Sequence, residues 1–358
     1  MSPKRLELEH PQGLALTLTD LGATWLSCRV PMPDGSRREV LLGCPTPQVQ
    51  AQQTAFLGAT IGRYANRIGH ARIRLGERSW ALEPQPGSAH QLHGGPGGFH
   101  AQRWQVEQAD ALQASFSLVS PDGDQGYPGR LEARVSYRIA GPFTVEIAFE
   151  ARVDAPSPVC LTNHAYFNLD ARHGDVRGHR LCIPAQHYLP VDEALIPLGE
   201  LAAVHGTGFD FRTAKPIERD WLRDDQQAHG GGYDHAFLLD ADCAGASAPA
   251  AVLQSADGSL HMRVSTTLPA LQFYAGQYLA GIPDRDGQPY GACAGVALEP
   301  QYLPDSPNHP EWPQPSCWLQ PGEVWRHGIR YEFAAEPSQS ELSGSQADET
   351  LSRVSANR

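Results

Sequence analysis

Five stretches of the chain gather side chains able to bind a polar ligand and move protons on it. Asn163-His164-Ala165-Tyr166-Phe167-Asn168-Leu169 joins an imidazole, two amides and two aromatic rings. Gly295-Val296-Ala297-Leu298-Glu299-Pro300-Gln301 opens as an apolar, strand-like run that ends on the carboxylate of Glu299. Burying such a charge is costly unless it is paired or has chemistry to do. In "HQLHGGPGGFH", His90 to His100, two glycines follow His93 and imply a tight turn that presents the imidazole from a loop. "GRYANRI", Gly62 to Ile68, flanks Asn66 with Arg63 and Arg67, a hydrogen-bonding fork of planar guanidinium and amide. In "GGGYDHAFL" three glycines lead through Tyr233 to Asp234 and an apolar strand.

Each stretch also has an ordinary structural reading. His164, after the strand-like "VCLT", reads as a satisfied core histidine, the arginines as a solvated surface, and Asp234 as a turn cap. His90 and His93 have HxxH spacing, but off a helix, without an evident third ligand or second shell, that is thin support for a metal. Together the residue types match one task, proton transfer near neutral pH on a polyhydroxylated ligand. Imidazole is the natural general acid there and a carboxylate its partner base. Asp, Asn, Arg and Gln bind hydroxyls directionally, while Tyr166 and Phe273 could cover the apolar face of a sugar.

Those residues need a scaffold, and strand periodicity dominates the chain. Leu131, Ala133, Val135, Tyr137 and Ile139 alternate with polar residues, and Val145, Ile147, Phe149, Ala151 and Val153 repeat the pattern after a Gly-Pro turn. This predicts a hairpin with one buried face. Further strands are expected over Leu14–Leu18, with Thr17 and Thr19 on the other face, and in "LHMRVSTTL" and "LQFYAGQYL". The best helical pattern is "ERDWLRDDQQ", two or three turns. The 35 glycines and 30 prolines are spread along 358 residues, which indicates many turns rather than a disordered block. The fold class is therefore all-β, a sandwich or barrel, with residues 1–336 as one domain. The polar segment from Pro337 to Arg358 lacks aromatics and is expected to be a disordered tail.

A net charge of −12 without a basic patch argues against nucleic acid and anionic membranes as partners. No signal peptide and no membrane-spanning run is visible. Cys28, Cys44, Cys160, Cys182, Cys243, Cys293 and Cys317 are odd in number, scattered and without a CxxC, which suits reduced thiols in a cytoplasm.

In order along the chain, "LGATIGRYANRI", "QLHGGPGGFH", "DGDQGYPG", "LTNHAYFNLD", "YLPVDEALIP", "GTGFDFR", "GGYDHAFLL", "LQFYAG" and "LPDSPNHPEWPQP" resemble the aldose 1-epimerases, or galactose mutarotases. The match extends to about Phe333. This resemblance implies a large antiparallel β-supersandwich that interconverts the α and β anomers of free aldoses such as galactose and glucose, without metal or organic cofactor. It implies Glu299 as the general base on the C1 hydroxyl and His164 as the general acid on the ring oxygen. His93 would be the second imidazole near that oxygen, and Asn66, Arg67, Asp234 and Gln272 would bind sugar hydroxyls. Tyr166 lies in the substrate-contacting segment. Asn163 would orient His164.

The pair is expected to start with His164 protonated and Glu299 ionised, giving a bell-shaped rate profile. Pro300 departs from the small polar residue that often follows the glutamate in the family, so local geometry at Glu299 is open. Three other readings stand beside this one: an epimerase of phosphorylated hexoses, which needs cations placed for a phosphate; a non-catalytic sugar-binding module; and a metal hydrolase using His90, His93 and His100. The lack of an evident large apolar interface points to a monomer.

Overall fold

The computed structural model describes residues 2–170 and 174–336; the tail expected over 337–358 lies outside the described residues. The chain is mostly antiparallel sheet with a few short helices, Pro47–Gln52, Asp225–Gly230 and Ala241–Ala244 among them. No helix among the described residues is long and apolar enough to cross a membrane.

A nine-stranded sheet forms the back of the molecule. It contains the expected hairpin as Leu131–Gly141 and Thr144–Val153, with Val135 opposite Phe149. The odd-numbered residues Leu131 to Ile139 are buried and most of the residues between them are exposed, as the alternation requires. Trp325–Ala335 pairs on the far side of the hairpin and then with Leu260–Thr266. A four-stranded sheet packs beside it. Its Ala15–Thr19 strand is buried on both faces, so Thr17 does not meet water as the alternation implied; its hydroxyl donates to Glu7 Oε2 at 2.7 Å.

The six-stranded sheet positions the site. Its spatial order is Tyr166–Phe167, Val296–Gln301, Ala270–Tyr274, Asp234–Leu238, His187–Tyr188 and Ala202–Ala203. Register places Gln272 opposite Glu299, and Tyr274 opposite both Asp234 and Ala297, which in turn lies opposite Tyr166. Period 2 then puts Tyr166, Glu299, Gln272, Tyr274 and Asp234 on one face. Phe167, Leu298, Phe273 and Phe237 point the other way into the core. Phe167 meets Trp25 and Tyr331 there, with ring centroids 6.1 and 5.2 Å away, which ties the three sheets together. Phe273 is wholly buried against Tyr233 and Phe211, so it cannot cover a ligand as its neighbourhood in sequence suggested.

The helix expected over "ERDWLRDDQQ" does not form as one element. A 3-10 turn, Ile217–Asp220, and a short α-helix, Asp225–Gly230, are separated by Trp221 in extended conformation and Leu222 at φ +54°. The only apolar residues of that stretch, Trp221 and Leu222, are adjacent and make no helical stripe. Asp220 instead bonds Lys215 at 2.6 Å and Arg223 at 3.0 Å, which folds the segment back on itself.

Candidate active site

Three loops rise over the polar face of the six-stranded sheet and close a cleft of about 230 Å³. Glu299 and Asp234 come from the sheet, Asn66 and Arg67 from the 62–68 turn, His93 from the glycine turn, and His164 and Tyr166 from the segment at the sheet's edge. Gln272 stands behind Asp234, donating from Nε2 to Asp234 Oδ1 at 2.6 Å. It therefore acts on the cleft by fixing that carboxylate.

His164 sits between two short strands, Thr162–Asn163 and Tyr166–Phe167. Its backbone is clamped to the 53–59 loop: His164 N–H donates to Ala59 O, and Gly58 N–H donates to His164 O, both at 2.9 Å. Its Nε2 lies 3.6 Å from Glu299 Oε1, and both side chains are buried. Tyr166 lies nearly parallel to the imidazole, with centroids 4.9 Å apart. Asn163 does not orient that ring. Its amide turns away, donating to Gly58 O at 2.8 Å and to the Tyr137 hydroxyl at 3.1 Å, and so anchors the loop instead.

His93 is held by a reciprocal pair of bonds. Asn66 N–H donates to His93 Nδ1 at 3.2 Å, and His93 N–H donates to Asn66 O at 3.0 Å. The turn needs its glycines: Gly94 has φ +83°, and a Cβ there would lie 1.9 Å from Gly62 O. Because Nδ1 accepts the Asn66 hydrogen bond, neutral His93 must carry its proton on Nε2. Burial drives His93 well below its ordinary 6.5, with proximity to His164 adding to the effect, so the neutral form is favoured. The result is a fixed N–H donor.

Burial also shifts His164 and Glu299. His164 is pushed from 6.5 down to about 3 by loss of solvent. Glu299 is raised well above 4.5, first by burial and then by nearby Asp234, with Arg67 opposing. Asp234 is raised too, mainly by burial, though Arg67 and the Gln272 bond hold it back. The resting state expected from sequence, imidazolium beside carboxylate, is therefore not the one burial favours. Burial in the protein favours the neutral imidazole and the neutral carboxylic acid. Either way the pair holds one proton, and burial penalises both adding a second and removing the first.

His93, His164 and Glu299 each offer one ligand atom, all within 4.8 Å of one another, the one such cluster among the described residues. The donor set is a poor one for a cation. His93 Nε2 carries a proton that the Asn66 bond keeps there, and Glu299 favours its protonated form. His90 is elsewhere, accepting from His70 N–H at 3.0 Å, so His90, His93 and His100 do not converge.

Arg63 is a buried strut, neither solvated nor directed at a ligand. Its guanidinium donates to Ser120 Oγ and to the carbonyls of Ser120, Pro121, Pro128 and Gly129, at 2.6–3.2 Å. Arg67 does reach the cleft, with Nη1 3.9 Å from Asp234 Oδ2. Pro300 lies within the strand, opposite Leu271, and Glu299 keeps its place opposite Gln272. The strand runs on to Gln301 rather than ending at the carboxylate.

Phe56, Tyr274, Tyr278 and Ile282 also line the cleft and were not legible as site residues. Tyr274 carried a signal, since alternation from Gln272 puts it on the same face. Phe56 carried none, because only the loop's path over His164 brings it in.

A family model described as Aldose 1-epimerase matches residues 4–332. The Aldose 1-epimerase of Escherichia coli (strain K12) is 52% identical over 331 residues, which is 92% of this chain and 95% of that protein. Galactose mutarotase of Mus musculus is 36% identical over 333 residues, 92% of this chain and 94% of the relative. Among solved structures, galactose 1-epimerase from Lactobacillus acidophilus superposes with a TM-score of 0.79 at 30% identity, covering 92% of this chain and 94% of the other.

Proposed function

The chain belongs to the aldose 1-epimerase family, and from that premise we propose that it interconverts the α and β anomers of free aldohexoses such as galactose and glucose. The observation that carries this reading is the buried His164–Glu299 pair, 3.6 Å apart and drawn from distant parts of the chain. The hydroxyl oxygen O1 and the ring oxygen O5 are bonded to one carbon, so a base and an acid serving them must stand a few ångströms apart.

Glu299 takes the proton of the C1 hydroxyl while His164 gives one to O5, and the C1–O5 bond breaks to leave the open aldehyde. Rotation about C1–C2 presents the other carbonyl face. Glu299 then returns its proton to O1, His164 takes back the one on O5, and the ring closes as the other anomer. Ring opening thus starts from imidazolium and carboxylate and ends with both groups neutral. The end state is the distribution burial favours at rest. Before opening, the shared proton passes from Glu299 to His164, and the Coulomb attraction of the resulting close ion pair offsets part of its desolvation.

His93 contributes its fixed Nε2–H to the ring oxygen, where negative charge develops. Arg67, Asp234 and Asn66 bind hydroxyls, Gln272 steadies Asp234, and Tyr166 lines the wall beside His164. The rate profile keeps its bell shape with a wide top, because burial pushes the acid limb down and the alkaline limb up. We read residues 1–336 as one catalytic domain, supported by the core that the sheets share. The seven unpaired cysteines suit a reducing cytoplasm, and a monomer needs no further chain to complete the cleft.

Polarimetry of freshly dissolved α-galactose and α-glucose tests the reading, with Glu299→Gln as control. Catalysed mutarotation by the native chain and its loss in the variant are expected. A native chain that leaves the spontaneous rate unchanged overturns the function, and an active Glu299→Gln overturns the mechanism.

A further inference from the structure

We propose that Phe56 is a positioning residue, whose ring fixes the plane of the His164 imidazole and walls the acid–base pair off from a neighbouring groove. The inference rests on the reading of His164 as the acid. Phe56 touches three imidazoles. Its ring lies 5.8 Å from His164 at an interplanar angle of 26°, nearly parallel. It also meets His93 and His100 edge-on, each at 4.7 Å.

The groove beside the cleft is larger than the cleft itself, about 580 Å³, and its lining includes Gln50, Gln53, Thr24 and His100. Phe56, Thr54 and Leu92 line both spaces, so they form the wall between them. Of these three, Phe56 alone stacks on His164.

The backbone supports the assignment. Phe56 has φ +58°, a left-handed conformation that bulky residues avoid. Such strain persists only where its surroundings enforce it, and it clusters at functional sites. Here Gln53 Oε1 accepts from Ala55 N–H at 2.8 Å, and Ala59 N–H donates to Phe56 O at 2.9 Å. Gly58 follows at φ +69°, where a Cβ would lie 2.0 Å from Trp25 O. Asn163 holds Gly58 O from behind. The loop that carries Phe56 is thus stitched to the segment that carries His164, and ring and imidazole are placed by one network.

Removing the ring would join groove to cleft and let water reach His164 from the groove side as well. Solvation relieves the burial penalty on an imidazolium, so His164 would titrate closer to 6.5. The titratable groups that face it would remain: Glu299 from the sheet, His93 from the glycine turn, Tyr166 from its own segment, and His100 across the wall.

The test is an NMR pH titration of His164 together with polarimetric kcat and KM, on the full chain and its Phe56→Ala, Phe56→Leu and Phe56→Tyr variants. Phe56→Ala should raise the His164 titration by about one unit or more. It should lower kcat by about tenfold or more, since small misplacements of a catalytic group carry large losses, and move KM by less than about twofold. Phe56→Leu, which keeps a wall but not a flat face, should leave the titration low and still reduce kcat. Phe56→Tyr should restore both. Should Phe56→Ala fail to fold, the Leu and Tyr variants decide by the same criteria. Unchanged titration and kcat in Phe56→Ala would overturn the proposal. So would a rise in KM at constant kcat, which would make Phe56 a sugar contact. If the native chain proves inactive the functional reading fails, and the titrations still decide whether Phe56 controls His164.

Discussion

Glu299→Gln separates the chemistry of the site from its effect on stability. The swap keeps shape and removes the charge and the proton. Positioned acid–base catalysis supplies about 10²–10⁴ in rate, so kcat should fall by that range, ~3–6 kcal/mol in the barrier at about 1.4 kcal/mol per decade. Stability should move with pH. The folded-state pKa of Glu299 is raised by burial, so its contribution is fully present below 4.5 and drains away as pH rises toward the folded value. The amide that replaces it has no such dependence, so the variant should gain on the native protein by up to ~1.4 kcal/mol per pH unit above 4.5. A constant term opposes this gain. Oε2 of Glu299 has no hydrogen-bond partner among the described residues, so an amide nitrogen placed there adds an unpaired donor, at about 1–3 kcal/mol. The slope, not the sign at one pH, is therefore the diagnostic. Urea unfolding of both proteins at several pH values from 5 to about 8 measures it. A stability difference that stays flat across that range would refute a buried, proton-holding Glu299; retained mutarotation would refute its role as base.

Replacing His93 by Phe removes the fixed Nε2–H and should lower kcat/KM by about 10²-fold, as loss of a preorganised donor does elsewhere; an activity within a few-fold of native would remove His93 from the mechanism. His100 and His235 are pushed by burial to about 4 and about 3, so their contributions are present above 6.5 and lost as pH falls. Going from pH 7.5 to 5.5 should lower stability by roughly 2–3 kcal/mol through these two groups, measured by urea unfolding, and an unchanged midpoint with normal histidine titrations would contradict it. Glucose 6-phosphate should be a poor substrate beside glucose: among the described residues Arg67 is the one arginine or lysine on the cleft wall and already faces Asp234, while Glu299 adds a second acid. Equal mutarotation of the two sugars in a polarimeter would reverse that assignment of substrate class.

Much of this protein is local in origin and could be read from residue order. Alternation over Leu131–Val153 specifies a hairpin because one face must leave water, and the structure pairs those two runs as antiparallel neighbours. Glycines after His93 specify a turn because no other residue tolerates that backbone so close to Gly62. The ordered motifs identify the family, and with it the residues to look for. The helix expected at 218–227 does not form because the pattern lacks a stripe and Asp220 finds partners in Lys215 and Arg223. Arg63 and Arg67 look alike in sequence, yet one is a buried strut and the other reaches the cleft. Asn163 neighbours His164 in the chain but serves the Gly58 loop.

What the sequence by itself determined was which groups exist and which short segments turn or extend, since those depend on neighbours a few residues away. Tertiary structure alone decided the distance between His164 and Glu299, the tautomer of His93 and the proton that the pair keeps. It also brought in Phe56. Each of these depends on the exclusion of water by segments far apart in the chain, and desolvation is a property of the assembled pocket that no residue order displays.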